Sequence, residues 1–341
     1  MVSMLDRARV IAEDVLFPAA LTVDADEVIP VGHFARLAEE GFYGLAGRAE
    51  DGGAETAFAS FVRIVEILSG GCLTTTFTWL QHHSVVRGLT TTPNTTLREK
   101  YLDAAIRGEL RGGVAFAGAI PRPPLLWASR TDGGWLVRGE SPFVTGWDII
   151  DVLLISARDV AGGLEGTIVS GLVPAVAGGG ITAEQLRLIA AQGSNTVRLR
   201  FEDFFLPTDR VVAEVSHTDF LAHQLRSARL NGSLALGVGD RCIRLIGQAD
   251  QPELAYRLGA RLRASRDRLD AAIPDPDALP AARAAASALA HQAAGALVAA
   301  VGSSGILAHR HAQRLVREAA FTLVAASRPE IKNELLDLFG R

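Results

Sequence analysis

The sequence predicts an α+β protein in three successive parts: an N-terminal helical domain over residues 1–110, a middle β-sandwich or barrel domain over 111–215, and a C-terminal four-helix bundle over 216–341. Three observations carry this. Up to residue 110, apolar residues recur every three or four positions, the period of one helix face. From Gly112 the pattern changes to short apolar or alternating runs bounded by Gly-rich turns, as strands are. From Ser216 four long helical stretches follow one another through short turns, the arrangement of an antiparallel bundle.

The elements follow in order. Val2–Leu16 alternates apolar and charged residues at helical spacing, and Val31–Glu40 is a second helix ended by Gly41. Thr56–Ser69 and Leu73–Leu89 are two helices broken at Gly70-Gly71. Thr96 is expected to cap a helix through Ile106, with Gly108 at its end. Strands are predicted at Gly112–Ile120, Leu125–Arg130, Trp135–Arg138, Ile149–Ala157 and Gly166–Leu172, with one more inside Ile181–Ala190. Thr131-Asp132-Gly133-Gly134 joins two of them as a hairpin turn. Asn195–Val212 is the pivot of the chain: Val197, Leu199 and Phe201, then Phe204 and Leu206 after a shift, alternate with polar residues until Pro207 stops the strand. The bundle helices are expected at 217–248, 252–273, 280–301 and 306–326. Pro252 opens the second, Pro274, Pro276 and Pro280 mark the turn before the third, and Gly302-Ser303-Ser304-Gly305 separates the last two.

Composition narrows the function. The chain has 341 residues and a mixed charge of −4, with no basic surface of the kind that binds nucleic acid. Cys72 and Cys242 are far apart in apolar settings, neither a disulfide framework nor a metal spacing. The first sixteen residues contain acids and no long apolar run, unlike a signal peptide. Ala281–Val301 comes nearest to a membrane span but is interrupted by Arg283, His291 and Gln292. The expectation is a cytoplasmic protein with no membrane partner and no metal. His82-His83 beside Ser84 offers no third ligand at metal spacing, so both are expected to be structural or to line a pocket. His309, Arg310, His311, Arg314 and Arg317 form a charged run expected at a solvated or subunit-facing surface.

Several strings, in order and at matching spacing, resemble the acyl-CoA dehydrogenase family. They are Gly41–Gly53, Gln81–Ser84, Phe116–Pro121, Phe143–Gly146, Thr196–Val211 and Gln313–Ala319. The resemblance implies the three-part fold above, FAD between the last two parts, an acyl-CoA or related thioester as substrate, and an oligomer. It places the flavin contacts at Phe116, Ala117, Ala119, Phe143, Val144 and Thr145, with Gly302 and Gly305 in a Gly-rich turn, and His82 and His83 beside the acyl chain. Here Ala119 replaces a family threonine, its backbone N–H being expected to remain, and Phe143 replaces a tryptophan and can still pack on a ring face.

The departures bear on the chemistry. Dehydrogenation needs a base for the α-proton while hydride leaves the β-carbon for the flavin. The family position of that glutamate falls on Ala326, and Gln224–Ala235, where a minority of the family carries it, contains no carboxylate. Glu330 is the nearest substitute, one helical turn on, and equally reads as a solvated acid after Pro329. The arginine that reaches the FAD pyrophosphate in the family is missing. Three readings stay open: a dehydrogenase of an acyl-CoA thioester whose base comes from elsewhere, a base-deficient subunit paired with a Glu-bearing homologue, and a flavin-dependent monooxygenase on the same scaffold.

Overall fold

In the computed structural model, residues 2–161, 163, 166–275 and 277–340 are described, apart from the side chains at 225 and 226; Pro276, expected in a turn, lies outside them. The N-terminal helix is longer than its periodicity suggested. Helix α1 (Met4–Val10) passes through a π turn (Ile11–Leu16) into α2 (Phe17–Asp26). Pro18 would stop an ordinary helix by meeting the carbonyl four residues back. That residue, Asp14, lies in the wider π turn, and the helix continues.

Helix α3 (Val31–Glu39) ends before Gly41, whose φ is 77°. Helices α4 (Phe58–Gly71) and α5 (Leu73–Thr91) are parted by the extended residue Cys72. Helix α6 (Thr95–Arg107) starts two residues earlier than expected. Its cap is Asn94, whose Oδ1 accepts the Leu97 N–H at 3.1 Å, rather than Thr96. Gly108 ends it at φ 75°.

The β part is a single sheet of eight strands. They are β1 (Gly112–Ala115), β2 (Leu126–Thr131), β3 (Gly134–Val144), β4 (Val152–Asp159), β5 (Thr167–Pro174), β6 (Ile181–Gln185), β7 (Val197–Pro207) and β8 (Val211–Ser216). Their order is β6-β7-β3-β2-β4-β5-β8, with β1 added parallel to β4. The expected hairpin joins β2 to β3 around Asp132-Gly133. The run 149–151 lies in a turn before β4, because Ile149 and Ile150 donate their N–H groups back to Gly146. The sheet closes over its own core: a Cβ on Gly171 of β5 would lie 2.5 Å from Leu206 of β7, although three strands lie between them in the order. Trp135, Val137, Ile155, Val169, Leu199 and Phe201 fill that interior.

The last part is α7 (His217–Gln248), α8 (Pro252–Ala271), α9 (Leu279–Val301) and α10 (His311–Val324), with a fifth helix, α11 (Pro329–Phe339), packed on α9. The stretch Leu279–Ile306 is long and apolar enough, by length and composition, to cross a membrane, which the interruptions in its sequence did not suggest. In the fold it is the bundle's central helix, touching α7, α8, α10 and α11, and burial against four neighbours explains its Ala-rich composition. One apolar cluster runs without a break from Ala8 of α1 through Trp79 and Leu236 to Leu335 of α11. The N-terminal helices and the bundle therefore bury one another, with α4 crossing α7 at Gly70 and Gly237.

Candidate active site

Three of the residues expected to meet a flavin, Phe143, Val144 and Thr145, lie at the end of β3. Phe143 sits at φ 57° with its ring 66% exposed, while its neighbours Val144 and Thr145 are buried. Beyond them the chain turns through Gly146 (φ 91°) and Asp148 (φ 64°). The turn is pinned by a second loop: Gly146 N–H donates to Ser194 O at 2.8 Å and Trp147 N–H to Asn195 O at 3.1 Å. Asn195, itself left-handed at φ 47°, donates through Nδ2 to Trp147 O at 2.5 Å. Helix α5 passes close by, since a Cβ on Gly146 would lie 3.5 Å from Thr78 Cγ2.

Two of the expected flavin contacts are already used inside the chain. The Thr145 hydroxyl belongs to a buried row, 3.4 Å from Thr196 Oγ1, which is 2.8 Å from Ser194 Oγ. The Ala119 N–H, expected to remain, donates to Phe116 O at 3.0 Å in a 3₁₀ turn over Ala117–Ala119. That short-range bond is invisible to residue matching. Ala119 O accepts the guanidinium of Arg158, which also reaches Ile120 O at 2.6 Å and His217 Nε2 at 2.8 Å. Arg158 and His217 are both buried. They fix the Phe116–Ile120 turn to the first residue of α7, and nothing in their local sequence announces it. Phe116 packs edge-on against Phe220 of α7 with ring centroids 6.4 Å apart. Gly302 and Gly305 lie elsewhere, in the turn between α9 and α10, which exposes Ile306 and Leu307.

His82 and His83 are interior side chains. His82 Nδ1 accepts the Gly112 N–H at 3.0 Å and Nε2 donates to Ala105 O at 3.0 Å, so both ring nitrogens are engaged and the ring is neutral. Burial pushes its pKa down to about 4. His83 lies between Phe61 and Trp79, with ring centroids 4.8 and 4.6 Å away, and burial drives it well below its ordinary value. The charged run on α10 is not a solvated surface. His311 stacks on Phe17 at 4.3 Å, Arg314 and Glu318 form a buried pair, and Arg317 holds Asp24 of α2. Helix α2, missed in the sequence, is what covers it; His309 and Arg310 remain exposed in the preceding turn.

At the expected position of the base, Ala326 is exposed and left-handed at φ 50°, two residues after α10 ends. Arg283, fully buried, holds that end: Nη2 donates to Thr322 O at 2.9 Å, and Nη1 to Ser287 Oγ. Burial lowers its pKa to about 10, while the C-terminal carbonyls of α10 supply the compensating partial charge. Glu330 is exposed in the first turn of α11, after Pro329.

Helices before and after a closed sheet, with a turn-rich loop at the end of β3, define a class of scaffold that comparison with known proteins identifies. Residues 2–109 match the family model described as acyl-CoA dehydrogenase, N-terminal domain. Rice isovaleryl-CoA dehydrogenase is 25% identical over 211 residues, 60% of this chain and 51% of that protein. The chain spans about half the length of the curated relatives it matches. Among solved structures, butyryl-CoA dehydrogenase from Megasphaera elsdenii aligns over 98% of this chain and 96% of its own, with a TM-score of 0.81 and 16% identity. A structure described as PigA with FAD and proline aligns over 100% and 98%, with a TM-score of 0.81 and 17% identity. Residues 2–109 thus belong to the acyl-CoA dehydrogenase N-terminal domain family, and the chain as a whole has the fold of solved acyl-CoA dehydrogenases.

The family implies FAD, and the residues present fit it in part. Phe143 displays a large ring to the outside in a backbone conformation that costs energy for a residue with a Cβ, the kind of strain that marks ligand sites. Thr145 and Ala119 offer a flavin less than their types suggested, since the hydroxyl and the N–H are engaged internally.

Proposed function

We propose that this chain binds FAD and an acyl-CoA thioester and takes part in α,β-dehydrogenation with the proton-abstracting carboxylate supplied by another chain. The observation that carries this is Ala326. It stands exposed where the family base falls, at the end of a helix held in place by buried Arg283, so the scaffold around the position is intact while the acid is gone. An alanine methyl cannot accept a proton, and Glu330 stands in the solvated first turn of α11. FAD, when bound, supplies the hydride acceptor. The chain's own contribution is positional. Phe143 would pack on the ring system, the Gly146 turn shapes the loop that carries it, and Arg158 fixes the 3₁₀ turn at Ala117–Ala119 to α7. A base and a second flavin contact from a homologous, Glu-bearing subunit would complete the site.

The missing base also supports a second reading, a flavin-dependent monooxygenase on the same scaffold. Oxygen consumption with reduced flavin separates the two. The first experiment is the visible spectrum of the purified chain after incubation with FAD and gel filtration. The proposal expects the flavin band to co-elute with the protein and to weaken in Phe143→Ala. A colourless chain that stays colourless with a Glu-bearing homologue would overturn it.

A further inference from the structure

A groove of about 260 Å³ lies between the N-terminal helices and the bundle, away from the flavin loop. Its wall carries four arginines against three carboxylates. Glu66 of α4 is 4% exposed, and both its oxygens are taken: Arg266 Nε donates at 3.0 and 3.1 Å and Arg63 Nη1 at 2.5 Å. Glu13 is saturated in the same way, by Arg241 at 2.7 and 3.0 Å and by Arg244 at 2.6 Å. Arg244 Nε also holds Asp240 at 2.7 Å. At the rim, Arg9 Nη1 meets Asp6 at 2.5 Å.

The acceptors are thus largely consumed while donors remain. Among the described residues, Arg63 Nε and Nη2, Arg266 Nη1, Arg244 Nη2 and Arg9 Nε and Nη2 make no hydrogen bond within the chain. A cavity with surplus guanidinium N–H groups and satisfied carboxylates is matched to a ligand rich in acceptor oxygens. Its volume lies just below the range of ordinary small-molecule pockets, which selects a small ligand. Glu13 stands in the π turn of the first helix, an irregularity that recurs at functional sites.

We propose that this groove binds a diphosphate-sized oxyanion, bridging Arg9 and Arg63 of the N-terminal helices to Arg244 and Arg266 of the bundle. The ion is either free pyrophosphate or the diphosphate of a nucleotide. The test is calorimetric titration of the full chain, already saturated with FAD, with pyrophosphate, ADP and orthophosphate at constant ionic strength, keeping the flavin site out of the reading. Saturable one-to-one binding of pyrophosphate is expected, with orthophosphate weaker and a thermal midpoint raised by about 4 °C at a hundredfold excess over Kd. ADP binding as tightly as pyrophosphate assigns the nucleotide source; pyrophosphate binding alone assigns the free ion. Arg63→Gln is expected to weaken binding about tenfold, the worth of one charged hydrogen bond. Arg63→Lys, which keeps the charge and the fold, is expected to weaken it about threefold. No saturable heat with pyrophosphate, or equal affinity in the parent and the folded variants, overturns the proposal.

Discussion

At the residue scale, His82 shows how a side chain suited to chemistry is committed to structure. Its two ring bonds tie α5 to the end of α6 and the start of β1, and only the neutral ring can make both. The unfolded chain protonates it near 6.5, the folded one only near 4. Between those values the unfolded state binds more protons. The contribution is therefore complete above pH 6.5 and is lost as pH falls toward 4, at about 3 kcal/mol for this one group. Thermal melts from pH 7.5 to 4 should show the midpoint falling through that window, and His82→Gln should flatten the fall; a midpoint indifferent to pH there would contradict it. That the pair would be structural or line a pocket was the sequence expectation, since neighbouring residues point to different sides of a helix. The partners of His82 were not legible, because Ala105 O and the Gly112 N–H belong to elements whose approach to α5 is set by tertiary packing.

At the scale of elements, periodicity located the long helices except α2 and α11 and left the boundaries to local chemistry. Asn94 capped α6 instead of Thr96, and the reason lies partly outside the helix: its Nδ2 donates to Asp209 O at 2.9 Å and Val211 O at 3.2 Å, fastening the loop before α6 to the start of β8. Asn94→Ala is expected to cost about 1 kcal/mol for the cap and roughly as much again for the two backbone contacts. Chemical denaturation with an unchanged slope measures it, and a loss under 0.5 kcal/mol, on the order of an uncapped surface change, would show that the contacts carry nothing. Helix α2 was missed because Pro18 reads as a stop; only the π turn before it makes the continuation fit. That omission had a consequence for the site, since the histidine and arginine run of α10 looked solvated without the helix that covers it.

At the scale of the whole molecule, the sequence order of helices, sheet and helices translated directly into architecture, and the resemblance of scattered strings pointed to the right family. The shared core was not legible, because no local pattern states that residues 8–80 and 228–335 bury one surface together. Its tightest point is Gly237, where a Cβ would stand 2.1 Å from Glu66 O and from Ser69 Oγ. Gly237→Ala must therefore push α7 away from α4. It is expected to destabilise by about 2 kcal/mol or more, the range of overpacked cores, and to loosen the groove lined by Glu66 of α4, Arg244 of α7 and Arg266 of α8. A melt within a degree of the parent would contradict the close crossing. The same scale holds the functional question. The fold, the left-handed loop at Phe143–Asp148 and the helix end at Ala326 are present, and Ala326 offers no group that can accept a proton.

That claim is tested most directly by mixing the FAD-reconstituted chain with acyl-CoA thioesters under anaerobic conditions and following the flavin band. Our account predicts no bleaching by the chain alone and bleaching once a Glu-bearing homologue is added. Bleaching by the chain alone would contradict it, because it would place a competent base within these 341 residues.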